Sequence, residues 1–137
     1  MVHTSFNALS LMIAHASLNV TNYGTAKEFY RKILAPVGYE FTDDHPDWGA
    51  GGYKEGGNTS FWIGQKDKIV SGHVAFEAKN KSQVDAFYKK ALAAGAKDNG
   101  APGYRKEYWP GYYAAFVFDA DGNNVEAVWF DYSKVKE

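Results

Sequence analysis

The chain repeats itself. Beginning at His15 it reads HASLNVTNYGTAKEFYRKIL, and beginning at His73 it reads HVAFEAKNKSQVDAFYKKAL. At a constant offset of 58 (73 − 15), His15 falls on His73, Asn22 on Asn80, Phe29 on Phe87, Tyr30 on Tyr88, Lys32 on Lys90 and Leu34 on Leu92, without a gap. Similarity at a fixed offset marks duplicated structural units. Whatever the first half folds into, the second half folds into again.

Each unit opens on an alternating strand. Ala16, Leu18 and Val20 take one face and His15, Ser17 and Asn19 the other; Val74, Phe76 and Ala78 oppose His73, Ala75 and Glu77 in the same way. A helix follows. Ala26, Phe29, Tyr30, Ile33 and Leu34 fall at the i, i+3, i+4, i+7, i+8 spacing of one apolar stripe, and Val84, Phe87, Tyr88, Ala91 and Leu92 repeat it. Asn22 or Thr25, and Asn80 or Ser82, suit the N-caps; Gly38 and Gly95 suit the C-terminal stops. After each helix come three strands, roughly 39–42, 51–54 and 60–64 in the first half and 96–99, 114–119 and 124–130 in the second. The turn Asp119-Ala-Asp-Gly-Asn123 is a strong hairpin signal, since Asp-Gly and Gly-Asn tolerate positive φ. The expected fold is therefore α+β, a single domain over residues 1–137 built from two βαβββ modules at 11–64 and 70–132. Its mixed sheets curl around a cleft. The apolar strand faces must pack on the helix stripes, so the faces carrying His15 and His73 turn away from the helices.

Composition narrows what the cleft serves. The formal net charge is −1 and the basic residues are spread along the chain, which disfavours nucleic acid and anionic membranes as partners. With no cysteine, disulfides, thiolate catalysis and sulfur-ligated metals are excluded. The apolar stretch Leu11–Ala14 is too short to span a membrane and lacks the preceding basic residues of a secretory signal, so a cytoplasmic protein is expected.

On the strand NNVEAVWF, Glu126 shares a face with Asn124, Val128 and Phe130, while Val125, Ala127 and Trp129 take the other. A carboxylate in mid-strand among apolar residues is costly unless paired or bound to a cation. Two imidazoles and one carboxylate, His15, His73 and Glu126, are the ingredients of a three-ligand site for a divalent transition metal with positions left open. Glu77, two residues beyond His73 on its face, is a candidate base alongside Glu126 itself. The run containing Tyr104, Tyr108, Trp109, Tyr112 and Tyr113 reads as packing or as a hydroxyl-bearing wall around a small molecule. Arg105 and Lys106 in the same stretch are candidate clamps for a carboxylate or phosphonate. The stretch GAGGYKEGGN lacks a GKS/T ending and a following helix, so it is read as tight turns and not as a phosphate loop.

The paired modules, HASLNV before AKEFYRKIL, GHVAFEA and DADGNNVEAV make the sequence resemble the vicinal oxygen chelate superfamily, which holds glyoxalase I, bleomycin-resistance proteins, fosfomycin-resistance proteins and extradiol dioxygenases. The last segment is similar to that family's terminal "DPDGN-x-IE" pattern. The resemblance covers roughly residues 11–132. It implies a divalent ion (Zn, Ni, Mn or Fe) on His15, His73 and Glu126, and a homodimer whose modules pair within a chain or are exchanged between chains. Laying GGNTSFWI over ADGNNVEAV with Gly57 on Gly122 places Phe61 opposite Glu126 (126 − 65 = 61). There a glyoxalase I of the usual kind has a glutamate. Phenylalanine cannot ligate, so Phe61 is expected as a cavity wall together with Tyr104, Arg105, Trp109 and Tyr113. What the resemblance implies for function is a metal-dependent enzyme acting on a small oxygen-chelating substrate, with glutathione- or thiol-linked lyase, isomerase or transferase chemistry. The alternatives are a metal-free protein that sequesters a drug or metabolite, and an extradiol-type dioxygenase.

Overall fold

The computed structural model describes residues 13–136; His3 and the first two positions of the expected first module, 11 and 12, lie outside them. Two βαβββ units follow one another: β1 (Ala16–Val20), α1 (Tyr23–Leu34), β2 (Glu40–His45), β3 (Ala50–Lys54) and β4 (Thr59–Gln65), then β5 (His73–Glu77), α2 (Lys81–Ala93), β6 (Lys97–Tyr104), β7 (Tyr112–Phe118) and β8 (Asn124–Phe130). Each unit forms one four-stranded mixed sheet, in the orders β1-β4-β3-β2 and β5-β8-β7-β6. The opening strand of each pairs in parallel with the last, and the remaining pairs are antiparallel.

The helices start and stop where their local chemistry requires. The Asn22 side chain accepts from the Thr25 amide and that of Asn80 from the Gln83 amide, each satisfying one orphan donor of a first turn. Gly95 follows the end of α2 at φ of 98°, and Gly38 at φ of 90° ends the single 3-10 turn Ala35–Val37 that continues α1, a left-handed conformation that costs glycine little. One correction concerns the stripe of α2. Val84, Phe87 and Ala91 are buried, but Leu92 stays 39% exposed at the helix end.

The apolar faces of both sheets and both helices merge into one core. Phe61 of the first sheet meets Phe76 of the second edge to face, ring centroids 4.9 Å apart, and Tyr30 packs on Phe61 at 5.4 Å. Such pairs add about 0.5–1.5 kcal/mol beyond simple burial. The two helices lie against each other, and β1 and β5 meet at the junction of the sheets. Both modules thus share one helical layer, and both non-helical faces look outward, with neither covering the other in a single chain.

The hairpin turn between β7 and β8 ties the modules together. Asp119, buried, accepts from the Tyr30 hydroxyl and from the amides of Asp121 and Asn123. Asn123, fully buried, donates to the Asn19 carbonyl of β1 and accepts from the Gly72 amide ahead of β5. The Asp-Gly-Asn signal therefore does more than reverse the chain: it supplies the polar groups that fasten the second module to the first.

β6 is longer than its residues suggest. It runs on through Gly100, Pro102 and Gly103 to Tyr104, with register shifts along the way. Proline and glycine are poor strand formers but are tolerated on an edge strand and at bulges, and pairing with β7 overrides their local preference.

Candidate functional site

Glu126 sits in the middle of β8, flanked across the strands by Ala75 of β5 and Phe116 of β7. Alternation turns it away from the helices, yet it is only 2% exposed. Its two oxygens are held separately. The Tyr112 hydroxyl donates to Oε2, and His73 Nε2 lies 3.1 Å from Oε1. Burial pushes the Glu126 carboxyl above the usual carboxylate range, opposed by the Tyr112 hydrogen bond and by His73. Burial and the same carboxylate push the Tyr112 phenol far above its ordinary value, so it stays a donor.

The tautomer of His73 follows from its other nitrogen. Nδ1 is 2.9 Å from the Asn124 carbonyl oxygen. A carbonyl can only accept, so Nδ1 carries the hydrogen. In the neutral ring Nε2 then presents a lone pair toward the lone pairs of Glu126 Oε1. Two acceptors this close are stable only with a cation between them, either a proton or a metal ion. For ligands about 2.1 Å from a metal at right angles, the separation is about 3 Å, which this pair matches. Nearby on the same face, Asn124 Oδ1 is buried without a hydrogen-bond partner, an orphan acceptor of the kind that calls for an explanation. Imidazole and carboxylate together suit a hard or borderline divalent ion; His73 and Glu126 are the residues that could hold one, and the Asn124 contact sets the ring in the tautomer such binding needs.

His15 is not part of this pair. It stands one residue before β1 and is exposed, on the outward side of the other sheet. Among the described residues no three His, Cys, Asp or Glu side chains converge closely enough to hold an ion. One chain brings together two of the three expected ligands.

Strand register corrects the position opposite Glu126. In the second module Glu126 lies beside Ala75, whose counterpart at the offset of 58 is Ser17, and Ser17 lies beside Trp62. The matching residue is Trp62, one place along from Phe61. Phe61 points the other way, 1% exposed in the shared core, and forms no part of an outward wall. Trp62 also has no ligating atom. It stacks on His45, which stacks in turn on the largely exposed Trp48, with centroids 6.1 and 4.5 Å apart.

The same one-residue distinction applies in β7. Tyr113, expected in the wall, faces the helices: it is buried, donates to Asp85 of α2, and has its phenol pushed up to about 12, chiefly by burial. Tyr104 packs on Tyr113 and donates to Asp131, so it too lies away from Glu126. The residues that do stand on the Glu126 face are Tyr112, Ala114, Phe116 and Phe130, with Tyr108 against Tyr112 and Trp109 edge-on to Phe130. Trp109 lies edge-on to Phe130 on this face, and Tyr112, not Tyr113, is the tyrosine of β7 that stands beside Glu126. The signal for this was present, since the hairpin turn sets Asn124 opposite Phe118 and counting back by two from Phe118 reaches Tyr112. Glu77 is exposed at the end of β5, on the His73 face, with no hydrogen bond or ion pair among the described residues. Arg105 lies with its guanidinium carbon 5.3 Å from the Phe116 ring, next to Glu126.

A separate groove of about 510 Å³ opens on the helical side, between the start of α1, the end of α2 and the β7–β8 turn. Its floor is the Tyr30–Asp119 hydrogen bond, and none of its described buried polar side-chain atoms lacks a partner. It carries no chemistry of the kind seen at Glu126.

A sequence profile described as the glyoxalase/bleomycin resistance protein/dioxygenase superfamily matches residues 12–127. No curated protein sequence matches the chain. Among solved structures, a glyoxalase/bleomycin resistance protein from Albidiferax ferrireducens T118 superposes with a TM-score of 0.73 at 24% identity, covering 87% of this chain and 98% of that one. A lactoylglutathione lyase from Agrobacterium tumefaciens gives 0.66 at 18% identity, over 88% and 95% of the two chains. A genomically encoded fosfomycin resistance protein, FosX, from Listeria monocytogenes gives 0.67 at 16% identity, over 92% and 98%. At these identities the likeness is one of fold.

Proposed function

Because this chain belongs to the glyoxalase/bleomycin resistance protein/dioxygenase superfamily, we propose that it is a divalent-metal-dependent enzyme acting on a small molecule that offers adjacent oxygens, with thiol- or glutathione-linked lyase, isomerase or transferase chemistry. The observation that carries this reading is the His73–Glu126 pair, with Nε2 and Oε1 3.1 Å apart and the imidazole tautomer set by Asn124. In this reading His73 and Glu126 are ligands and His15 is the third, reaching the pair from a second copy of the chain in a homodimer. A divalent ion held there supplies Lewis acidity toward the substrate's oxygens.

The chain's own residues do the rest. Tyr112 fixes the Glu126 carboxylate by its Oε2, so that Oε1 is the oxygen that would be free to hold an ion. Tyr108, Trp109, Tyr112 and Phe130 exclude water from one side of the substrate. Glu77, solvated on the His73 face, is the carboxylate free to move a proton, and Arg105 is the cation beside the substrate. The test is turnover by protein reconstituted with Ni, Zn, Mn or Fe, using glutathione with an α-ketoaldehyde and with an epoxide-bearing phosphonate. Metal-dependent consumption that disappears in His73→Ala is the expected result. Consumption indifferent to metal or to His73→Ala contradicts it.

A second reading is favoured by one observation. The outward face of the first sheet carries the flat stack Trp62, His45 and Trp48 where a ligating acid is absent, which suits a protein that sequesters a planar drug or metabolite. Stoichiometric ligand capture by metal-free protein distinguishes it.

A further inference from the structure

One buried polar atom beside Glu126 has no hydrogen to accept. Asn124 is partly buried, and its Oδ1 is the single buried side-chain oxygen or nitrogen among the described residues that lacks a hydrogen-bond partner. An acceptor left dry and unpaired opposes folding, so something outside the chain has to account for it.

Strand register shows why nothing in the chain satisfies it. Asn124 stands two residues before Glu126 on β8, so alternation gives both the same face. Its neighbour on β7 is Phe118, an apolar ring. Its neighbour on β5 is His73. In the neutral ring the one N–H of His73, at Nδ1, is committed to the main-chain carbonyl of Asn124 itself, 2.9 Å away. The next polar group along the strand is the Glu126 carboxylate, which only accepts when charged. Adjacent positions on this face therefore carry three acceptors, His73 Nε2, Glu126 Oε1 and Asn124 Oδ1, and no hydrogen to share among them. A proton on the His73–Glu126 pair leaves Oδ1 as it was. One divalent cation serves all three. Residues two apart on a strand stand about 6.7 Å apart and a residue directly across stands about 5 Å away, within reach of a common ion for side chains of this length. His73 and Glu126 already meet at 3.1 Å across the longer diagonal.

We infer that Asn124 is a third protein donor on this chain, its amide oxygen joining His73 and Glu126 around one divalent ion. This rests on reading His73 and Glu126 as ligands and goes beyond it in two ways. It supplies a donor from the second module, where Trp62, the residue of the first module that matches Glu126, brings none. It also makes the set richer in oxygen, which moves preference toward Mn relative to Zn and Ni.

The test titrates Mn and Zn into the full chain, stripped of metal with chelator, and reads affinity by calorimetry. Asn124→Leu, close in volume, weakens Mn binding about tenfold and Zn binding about threefold. Asn124→Asp keeps an oxygen and loses the amide N–H group, and it binds at least as tightly as wild type, as a role played by the oxygen requires. In protein carrying 13C-labelled asparagine, diamagnetic Zn moves the side-chain carbonyl resonance that Asn124→Leu removes. It leaves in place that of Asn123, whose amide is already bonded at both ends. Thermal unfolding in chelator reads folding apart from metal: Asn124→Leu melts no lower than wild type, because it discards an unpaired acceptor. An Asn124 resonance that Zn does not move, or Asn124→Leu affinity equal to wild type while His73→Ala abolishes binding, overturns the role of Asn124 and leaves His73 and Glu126 standing as ligands. An Asn124→Leu protein that melts well below wild type in chelator has lost a hydrogen bond within the fold, which overturns it too. A wild-type chain that binds neither ion overturns both readings.

Discussion

Tyr112→Phe removes one oxygen and leaves the ring, so it isolates the hydrogen bond to Glu126. That carboxylate is 2% exposed and its Oε2 has the Tyr112 hydroxyl as partner. Leaving a buried acceptor without its donor costs about 1–3 kcal/mol, toward the upper end for a charged group. Taking about 2 kcal/mol, a domain of this size loses roughly 6–10 °C in Tm. The cost depends on pH, and its sign follows from the carboxyl. Burial raises the folded-state pKa of Glu126 above its unfolded value, so its protonated form contributes stability that is fully present below the unfolded carboxyl pKa. That contribution is lost as pH rises through the folded pKa. The Tyr112 hydrogen bond opposes this by holding the charged form. Without it the folded pKa rises further, and the gap between wild type and variant widens from acid toward neutral pH. His73 and Arg105 also act on Glu126, and both remain in the variant. Urea unfolding in the presence of a chelator at several pH values measures the gap, and a cycle with Glu126→Gln isolates the pair. A gap that is the same at acid and neutral pH, or the same with Gln at 126, refutes the reasoning.

Three other outcomes follow from the same contacts. Asn123→Ala strips partners from the Gly72 amide, the Asn19 carbonyl and Asp119 at once, and lowers unfolding free energy by about 2–4 kcal/mol in chemical denaturation. Phe87→Ala, in the fully buried centre of α2, costs about 3–5 kcal/mol by the same assay. His15→Ala and His73→Ala proteins, each deficient in metal alone, recover part of it when unfolded and refolded together, as a site shared between two copies requires; elemental analysis of the mixture reads the recovery.

The repeat made the architecture legible because duplication states the same fold twice, and two noisy halves agree only on what is structural. Period-two alternation placed His73, Glu126, Leu18 and Phe76 on their observed faces. It failed at Phe61 for Trp62 and at Tyr113 for Tyr112, each by a single residue, and in a strand one residue is the whole distance from core to surface. The first error arose where the register was carried across a turn by aligning glycines, and the second where Tyr113 was read from the aromatic composition of its stretch, without a register. The extent of β6 was hidden because Pro102 and Gly103 argue locally against a strand that only β7 makes favourable. Nor does a duplicated sequence state how its two copies pack. The shared helical layer, set by contacts such as Phe61 with Phe76, leaves His15 apart from His73 within a chain.

The most direct test is the divalent metal content of protein purified without chelator and then offered Ni, Zn, Mn or Fe. About one tightly held ion per chain is predicted, with loss in His73→Ala and Glu126→Gln and reduction in His15→Ala. A wild-type protein that retains none, or a His73→Ala protein that retains as much as wild type, contradicts the assignment of His73 and Glu126 as ligands.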